Sequence, residues 1–151
     1  MEKLKKNEIN LVFDSCSENE SFARMVIGAF MVDMDPTMEE LADVKTAVSE
    51  AVTNCVIHGY NGGEGKIYMN CKKEGTAIQI EIIDYGRGID NIEKAMEPLY
   101  TTRPELERSG MGFAFMEAFM DGLSVESTPG KGTRIVMDKL IGQEAACDEA
   151  L

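Results

Sequence analysis

The stretch AIQIEIIDYGRG, residues 77–88, joins an apolar strand to a loop that contains an aspartate and two glycines. Isoleucine occupies every second position at its start, which is typical of a β-strand with one buried face. Asp84 ends the strand, and Gly86 and Gly88 follow it. A carboxylate here can accept a hydrogen bond from an exocyclic amine, and the glycines let the backbone approach a flat ring. The pattern indicates a base pocket, although a surface turn would have the same residues.

Two long helices are predicted before this strand. Each begins with capping-box spacing, one at Ser17 and the other at Thr37. The first is predicted to end at about Met34, before Asp35-Pro36, and the second at about Ile57, before a turn rich in glycine and asparagine. The first helix is expected to bury an apolar stripe that consists of Phe22, Met25, Val26, Ala29 and Phe30.

The other predicted elements are mainly strands. They are strands at 10–14, 66–71, 77–83, 123–127 and 132–137, and a third helix at 110–120. The order β-α-α-β-β-α-β-β favours an α+β two-layer sandwich and argues against a doubly wound dinucleotide fold. We expect one domain over residues 1–141 and a disordered acidic tail over 142–151.

Composition narrows the range of functions. The 151 residues include 27 acidic and 15 basic side chains, so the net charge is −12. This charge repels phosphate backbones, and we expect no direct nucleic-acid partner. There is no apolar run of membrane-spanning length and no signal-type segment, which predicts a cytoplasmic protein without a membrane partner. Four cysteines without CxxC spacing and a single histidine argue against a zinc site.

Three more segments carry polar or glycine patterns. Glu50 and Asn54 lie one helical turn apart, opposite the apolar side of the second helix, although a solvated helix face is the ordinary explanation for such a pair. The segment 109–112, Ser-Gly-Met-Gly, opens the third helix, where backbone N–H groups suit a phosphate; a hinge is the alternative. Gly132-Thr133 begins the last strand and, taken alone, fits a hairpin turn.

The only histidine follows the same helix. At about 100° per residue, His58 would lie within roughly 80° of Glu50 and Asn54 on the helix surface. We interpret it as a packing or capping residue at the helix end and assign it no catalytic role.

In this order, the four segments resemble the GHKL, or Bergerat-fold, ATP-binding superfamily: Glu50–Asn54, Asp84–Gly88, Gly110–Gly112 and Gly132–Thr133. Three longer blocks resemble the anti-sigma serine kinases of spore-forming bacteria: 17–24, 49–54 and 101–113. The likeness covers about residues 7–140. It implies a two-layer α/β sandwich with a mixed β-sheet, helices packed on one face, and an ATP lid at 91–109.

The resemblance also implies a site for ATP and Mg²⁺. Asn54 would coordinate the metal, and Glu50 would be the general base toward a serine hydroxyl. Asp84 would accept from the adenine amine, with Thr133 on the same ring edge. The other implied nucleotide-binding residues are Gly86, Gly88, Thr101, Thr102, Arg103, Ser109, Gly110, Met111 and Gly112. Arginine occupies position 103, where the family commonly has lysine.

The resemblance implies protein partners as well. The family acts as a homodimer that inhibits a sporulation sigma factor of the sigma F type. It also phosphorylates a serine of a small anti-anti-sigma protein of the STAS type, which controls release of the sigma factor. Arg24 matches an arginine of the family's docking surface. Two alternatives stay open: a stress-response kinase acting on a sigma B type factor, and an ATP-gated binding module without catalysis.

Overall fold

The computed structural model describes residues 6–97 and 112–142. Within these ranges the elements are β1 (Lys6–Asp14), α1 (Glu18–Met31), a 3₁₀ turn (Val32–Met34), α2 (Met38–Asn54), a π-helical turn (Cys55–Gly59), β2 (Lys66–Glu74), β3 (Ala77–Asp84), α3 (Ile92–Ala95), α4 (Gly112–Phe119), β4 (Gly122–Thr128) and β5 (Gly132–Leu140). The predicted order of the strands and long helices is confirmed. No helix in this part of the chain has the length and apolarity to cross a bilayer.

Several predicted features lie outside the described residues. They are most of the lid, nearly all of the acidic tail, and the nucleotide-binding positions Thr101, Thr102, Arg103, Ser109, Gly110 and Met111.

The five strands form one sheet in the order β1-β2-β3-β5-β4. Every neighbouring pair of these strands is antiparallel. The two-layer α+β sandwich is confirmed, but the expected mixed sheet is wrong. The reason lies in the connections: α1 and α2 each reverse the chain between β1 and β2, and β5 inserts between β3 and β4 after a hairpin.

The core lies between the helices and one face of the sheet. Along β3, Ile78, Ile80 and Ile82 are buried, as the alternation predicts, and β2 and β5 follow the same pattern. The opposite face is polar at its centre, where Glu81 accepts hydrogen bonds from Asn70 and Arg134. Each buried large aliphatic side chain contributes about 1.5–3 kcal/mol through its removal from water.

The buried stripe of α1 differs from the prediction. The residues that α1 buries are Ala23, Ile27, Gly28, Phe30 and Met31. Phe22 and Met25 are 53% and 72% exposed, Ala29 is also exposed, Val26 is half-buried, and only Phe30 of the predicted stripe is in the core. The prediction failed because α1 is apolar around most of its circumference, so periodicity alone permits more than one stripe.

Contacts from neighbouring elements determine the rotation of α1. A Cβ at Gly28 would lie 2.7 Å from the Cε atom of Lys45, so the glycine side of α1 faces α2. Lys73 of β2 donates to the Phe30 carbonyl at 2.6 Å, and its Nζ lies 4.4 Å from the centre of the Phe30 ring. These contacts turn Phe30 toward the sheet and leave Phe22 in solvent.

The two predicted capping boxes have different outcomes. Ser17 has helical backbone angles and caps nothing with its side chain, so the first prediction is wrong. The Glu20 carboxylate, which would complete that box, instead contacts the Ser49 hydroxyl and Arg24. At the start of α2 the box is confirmed, because Thr37 Oγ1 accepts from the Glu40 N–H at 3.0 Å and Glu40 Oε1 accepts from the Thr37 N–H at 2.9 Å.

Glu40 also joins two ends of the fold. Its second carboxylate oxygen accepts a hydrogen bond from the Gly142 N–H at 2.7 Å, and only 2% of the residue is exposed. Burial raises the pKa of Glu40, but the bonds from Thr37 and Gly142 lower it more, so the pKa lies below its ordinary value. The carboxylate thus ties the end of β5 to the start of α2.

The last turn of the second helix also departs from the prediction. The α-helix ends at Asn54, and the π-helical turn follows, with the Tyr60 N–H bonded to the Cys55 carbonyl at 2.9 Å. A π turn has more residues per turn than an α-helix. The spacing of 100° per residue therefore does not extend to His58. The predicted position of His58 on the same helix face as Glu50 and Asn54 assumed that spacing and does not follow from it.

Replacing Glu40 by alanine is expected to lower the free energy of unfolding by about 2–4 kcal/mol, since it removes half of a capping box and leaves two N–H groups in partly buried hydrogen bonds without their acceptor. The stabilisation by Glu40 is complete above the ordinary glutamate pKa and is lost as the pH falls through its lowered folded-state pKa. Urea unfolding between pH 7 and pH 3 measures both effects. Glu39→Ala, at the exposed neighbouring position, is the control, and equal losses in the two variants would contradict the assignment.

Candidate functional site

A buried carboxylate stands at the end of β3. Asp84 is 1% exposed and lies opposite Thr133 in the β3–β5 ladder. Its Oδ1 atom accepts from the Gly86 N–H at 2.9 Å, whereas Oδ2 is buried without a hydrogen-bond partner in the described part of the chain. A buried oxygen left without a donor is costly, so Oδ2 marks a position that a ligand N–H group can complete.

The surroundings of Asp84 control its ionisation. Burial raises the pKa of Asp84, while the Gly86 N–H, the Cys55 thiol and the Thr133 N–H lower it, and the pKa remains above its ordinary value. Burial, together with the neighbouring Asp84 charge, raises the pKa of the Cys55 thiol well above its usual range. Cys55 therefore stays protonated beside the carboxylate.

Three glycines allow other backbone segments to close around Asp84. A Cβ at Gly59 would lie 2.7 Å from the Asp84 carboxylate, and one at Gly132 would lie 2.1 Å from the Asp84 carbonyl oxygen. A Cβ at Gly86 would lie 1.9 Å from the Gly59 carbonyl oxygen. No side chain fits at these positions, so the pocket requires glycine from three separate elements.

The loop after β3 is held on both sides. The Arg87 N–H donates to the Gly59 carbonyl at 2.8 Å, and the Arg87 carbonyl accepts from the Gly130 N–H at 2.7 Å. The Tyr85 N–H donates to the Tyr60 hydroxyl at 2.8 Å. The loop thereby joins the π-helical turn to the β4–β5 hairpin, and its backbone is placed before any ligand arrives.

Thr133 forms the second polar position of the pocket. It is 4% exposed, and its Oγ1 atom lies 2.9 Å from Oγ of Ser127 on β4. The same Ser127 oxygen accepts from the Ile89 N–H at 2.7 Å and lies 3.0 Å from the Gly132 carbonyl oxygen. This pair of hydroxyls therefore lies at the level of Asp84 in the sheet, with Thr133 on the neighbouring strand.

The predicted metal and base residues lie on the helix that ends beside this pocket. Glu50 and Asn54 are both half-buried, on the side of α2 away from its core residues. The next residue, Cys55, contacts Asp84, so Asn54 and Asp84 lie at the same end of the sandwich. Within the described ranges no cluster of three acidic, cysteine or histidine residues could hold a metal. The carboxamide oxygen of Asn54 is of the type that Mg²⁺ accepts together with phosphate and water oxygens.

The remaining predicted residues occupy distinct positions. Gly112 is the first residue of α4, which packs against α2. Gly88 has a φ angle of +76°, and a Cβ there would lie 2.3 Å from the Thr128 carbonyl oxygen, so it shapes the loop by its contact with the hairpin. Arg24 lies on α1 and pairs with Glu20 at 3.7 Å, outside the pocket.

Sequence reasoning missed Cys55, Gly59 and Ser127. The only signals for Cys55 and Gly59 were an apolar position and a glycine at a helix end, and both have ordinary structural explanations. Ser127 carried no signal, because its role depends on pairing with Thr133 across two strands.

A separate depression of about 910 Å³ lies at the opposite end of the strands. Its walls include Lys6, Lys72, Glu74 and Asp138, so cations and anions are mixed there. Lys6 already pairs with Glu74 at 3.4 Å. This depression offers neither a buried unpartnered group nor an excess of one charge, and we do not assign it to the site.

Comparisons of sequence agree with the geometry. A profile of the histidine kinase-like ATPase domain matches residues 16–139. The anti-sigma F factor of Thermoanaerobacter pseudethanolicus is 59% identical over 138 residues, which cover 91% of this chain and 96% of that protein. The anti-sigma F factor of Bacillus licheniformis is 51% identical over 142 residues, which cover 93% and 97%.

Comparisons of structure support the fold. The RsbU and RsbW domains of a Mycobacterium tuberculosis protein match with a TM-score of 0.65 and 18% identity over 89% of this chain. The histidine kinase domain of a blue-light activated kinase from Erythrobacter litoralis matches with a TM-score of 0.54 and 20% identity over 72% of this chain. The matched regions are 32% and 48% of those longer chains.

Replacing Asp84 by asparagine separates binding from stability. Because the pKa of Asp84 is raised, its ionised form destabilises the fold at neutral pH. Without nucleotide, the melting temperature of the variant is therefore expected to be roughly a few degrees above that of the native chain. The family resemblance implies that Asp84 accepts from the adenine amine; an asparagine amide would oppose that donor, so ATP affinity should fall about 10- to 100-fold. Melting curves and nucleotide titrations at pH 7 measure the two effects, with Asp90→Asn as the exposed control. Unchanged ATP affinity would remove Asp84 from the binding site.

Proposed function

Since this chain belongs to the histidine kinase-like ATPase domain family, and within it to the anti-sigma F factors, we propose that it is an ATP-dependent protein-serine kinase that also binds and inhibits a sporulation sigma factor. The observation that carries the proposal is the Oδ2 atom of Asp84, which is buried and has no hydrogen-bond partner among the described residues. Thr133 lies opposite Asp84 on β5, and Asn54 is the last residue of α2, which ends on the same side of the sandwich. This arrangement has a donor and an acceptor position for an adenine edge and a hard oxygen ligand next to it.

The proposed chemistry is phosphoryl transfer to a protein serine. Mg²⁺, when bound, neutralises phosphate charge, and the Asn54 carboxamide is its protein ligand. Glu50, one turn earlier on α2, accepts the proton of the attacking serine hydroxyl as the oxygen–phosphorus bond forms and ADP leaves. The first residues of α4, including Gly112, direct backbone N–H groups toward the phosphates.

The exposed face of α1 supports a docking role. Phe22 and Met25 of α1, and Val32 of the 3₁₀ turn that follows it, are large apolar side chains, each more than half exposed. Arg24 is exposed on the same helix, about 100° around its axis from Met25. Exposed apolar side chains and arginine are both enriched at protein interfaces. We assign this face to the sigma factor and to the anti-anti-sigma protein, which would compete for it.

We further propose a homodimer formed through the region of β1. This strand is at the edge of the sheet, where its outer backbone groups face no neighbouring strand among the described residues. Val12 is 58% exposed on the same strand. An edge strand with an exposed apolar side chain is suited to pairing with a second copy.

Two other functions are alternatives to this proposal. A stress-response kinase of the sigma B type would share the ATP chemistry, but the 51–59% identity is to anti-sigma F factors. A non-catalytic ATP-gated module would bind the same nucleotide and transfer nothing. Binding assays against both sigma classes, and phosphate transfer to the anti-anti-sigma protein, distinguish the three. In each case we expect a cytoplasmic protein without direct nucleic-acid or membrane binding.

Glu50→Ala is expected to reduce phosphate transfer at least about 100-fold, because it removes the general base. ATP affinity should change by less than about twofold, since the proposed role of Glu50 is in proton transfer and not in holding the nucleotide. Transfer from labelled ATP and nucleotide titration measure the two effects, and Glu39→Ala is the exposed control. Transfer at the native rate would show that Glu50 is not the base.

Arg24→Ala is expected to weaken sigma-factor binding about tenfold, because it removes an exposed charged side chain from α1, the helix that we assign to docking. ATP affinity should be unchanged, since Arg24 lies outside the pocket. Arg134→Ala is the matched control, as Arg134 pairs with Glu81 and Glu126 on the opposite face of the sheet. Isothermal titration with the sigma factor measures the effect, and equal weakening by both variants would contradict the docking surface.

A further inference from the structure

We propose that Ser127 determines the base specificity of the pocket by making Thr133 a hydrogen-bond donor toward the ligand. The proposal rests on the proposed ATP site and names a residue that none of the sequence motifs includes. Ser127 does not contact the base; it acts through Thr133 as a positioning residue.

Ser127 has more possible hydrogen-bond partners than its hydroxyl can satisfy at once. Its hydroxyl has one proton and two lone pairs. The Ile89 N–H, at 2.7 Å, takes one lone pair. Two acceptors compete for the single proton, namely the Gly132 carbonyl oxygen at 3.0 Å and Thr133 Oγ1 at 2.9 Å.

The choice between these acceptors sets the direction of the Thr133 hydroxyl. If Ser127 donates to Gly132, Thr133 must donate to Ser127, and only its lone pairs face the pocket. If Ser127 donates to Thr133, the Thr133 proton is free to be donated to a ligand.

The edge of adenine matches only the second arrangement. Adenine has an N–H donor on its exocyclic amine and an acceptor at N1. The Asp84 Oδ2 atom accepts from the amine, so a neighbouring group must donate to N1. The resulting chain runs from the Ile89 N–H through Ser127 and Thr133 to N1, and successive bonds in such a chain strengthen one another.

A 6-oxo purine has the opposite pattern on the same edge. Hypoxanthine and guanine carry an N–H at N1 and a carbonyl oxygen at position 6. The oxygen would face the Asp84 carboxylate, and the N1–H would face the Thr133 proton. Asp84 therefore reads position 6, and Thr133, held as a donor by Ser127, reads N1.

A purely structural role for Ser127 is the competing explanation. Its bond to Ile89 also braces the loop after β3, so loss of the hydroxyl could lower affinity for every nucleotide equally. The decisive measurement is therefore the ratio of affinities for ATP and inosine triphosphate, since these nucleotides differ at the 6 and N1 positions and share ribose and phosphates.

The experiment measures the Kd of both nucleotides, with Mg²⁺, for the full chain and for Ser127→Ala. In Ser127→Ala, the affinity for ATP is expected to fall about five- to tenfold, which is the effect of one neutral hydrogen bond. The affinity for inosine triphosphate is expected to fall less than about twofold. Ser127→Thr keeps the hydroxyl and should retain the native ratio. Ser124→Ala, at an exposed position of the same strand, is the matched control and should also leave both Kd values unchanged.

A double-mutant cycle tests whether Ser127 acts through its neighbour. In a Thr133→Val background, which removes the hydroxyl at nearly constant shape, Ser127→Ala should no longer change the affinity ratio. The proposal would be overturned if Ser127→Ala lowered the affinities for both nucleotides equally, or if the effects of the two substitutions on the affinity ratio were fully additive. If the native chain binds no ATP, the proposed function fails; if it binds ATP and the ratio does not respond to Ser127→Ala, only this inference fails.

Discussion

The burial of one carboxylate organises this molecule. Asp84 is nearly inaccessible, its Oδ2 atom has no partner among the described residues, and burial raises its pKa. A fold selected for stability alone would place an apolar or amide side chain there. In the proposed site this cost is offset, because the carboxylate is already desolvated when an amine donor binds and little reorganisation accompanies binding.

Keeping that carboxylate in place constrains three separated parts of the chain. Gly59, Gly86 and Gly132 each lie where a Cβ would collide with Asp84 or with one another's backbone. The π-helical turn brings Gly59 to the loop, and the hairpin brings Gly132. The last turn of α2, which holds Asn54, is therefore coupled to the surroundings of Asp84 by packing rather than by a shared motif.

The first helix illustrates why a prediction of the buried stripe from periodicity can fail. Phe22 and Met25 have the spacing of a core stripe, but the core takes Ile27 and Met31 instead. A helix that is apolar around most of its circumference buries one side in its own fold and leaves the other exposed, where we propose that a partner docks. Local periodicity contains both stripes and does not rank them.

Local patterns in the chain were sufficient to predict the strand positions, the cap at Thr37 and the glycine loop that follows Asp84. Alternation, capping and turn preferences act over only a few residues, so they can be recognised in the sequence. The antiparallel sheet, the buried side of α1 and the recruitment of Cys55, Gly59 and Ser127 depended on packing between segments far apart in sequence. Such contacts depend on how the elements settle against a common core, and a residue such as Ser127 acquires its role only when β4 pairs with β5.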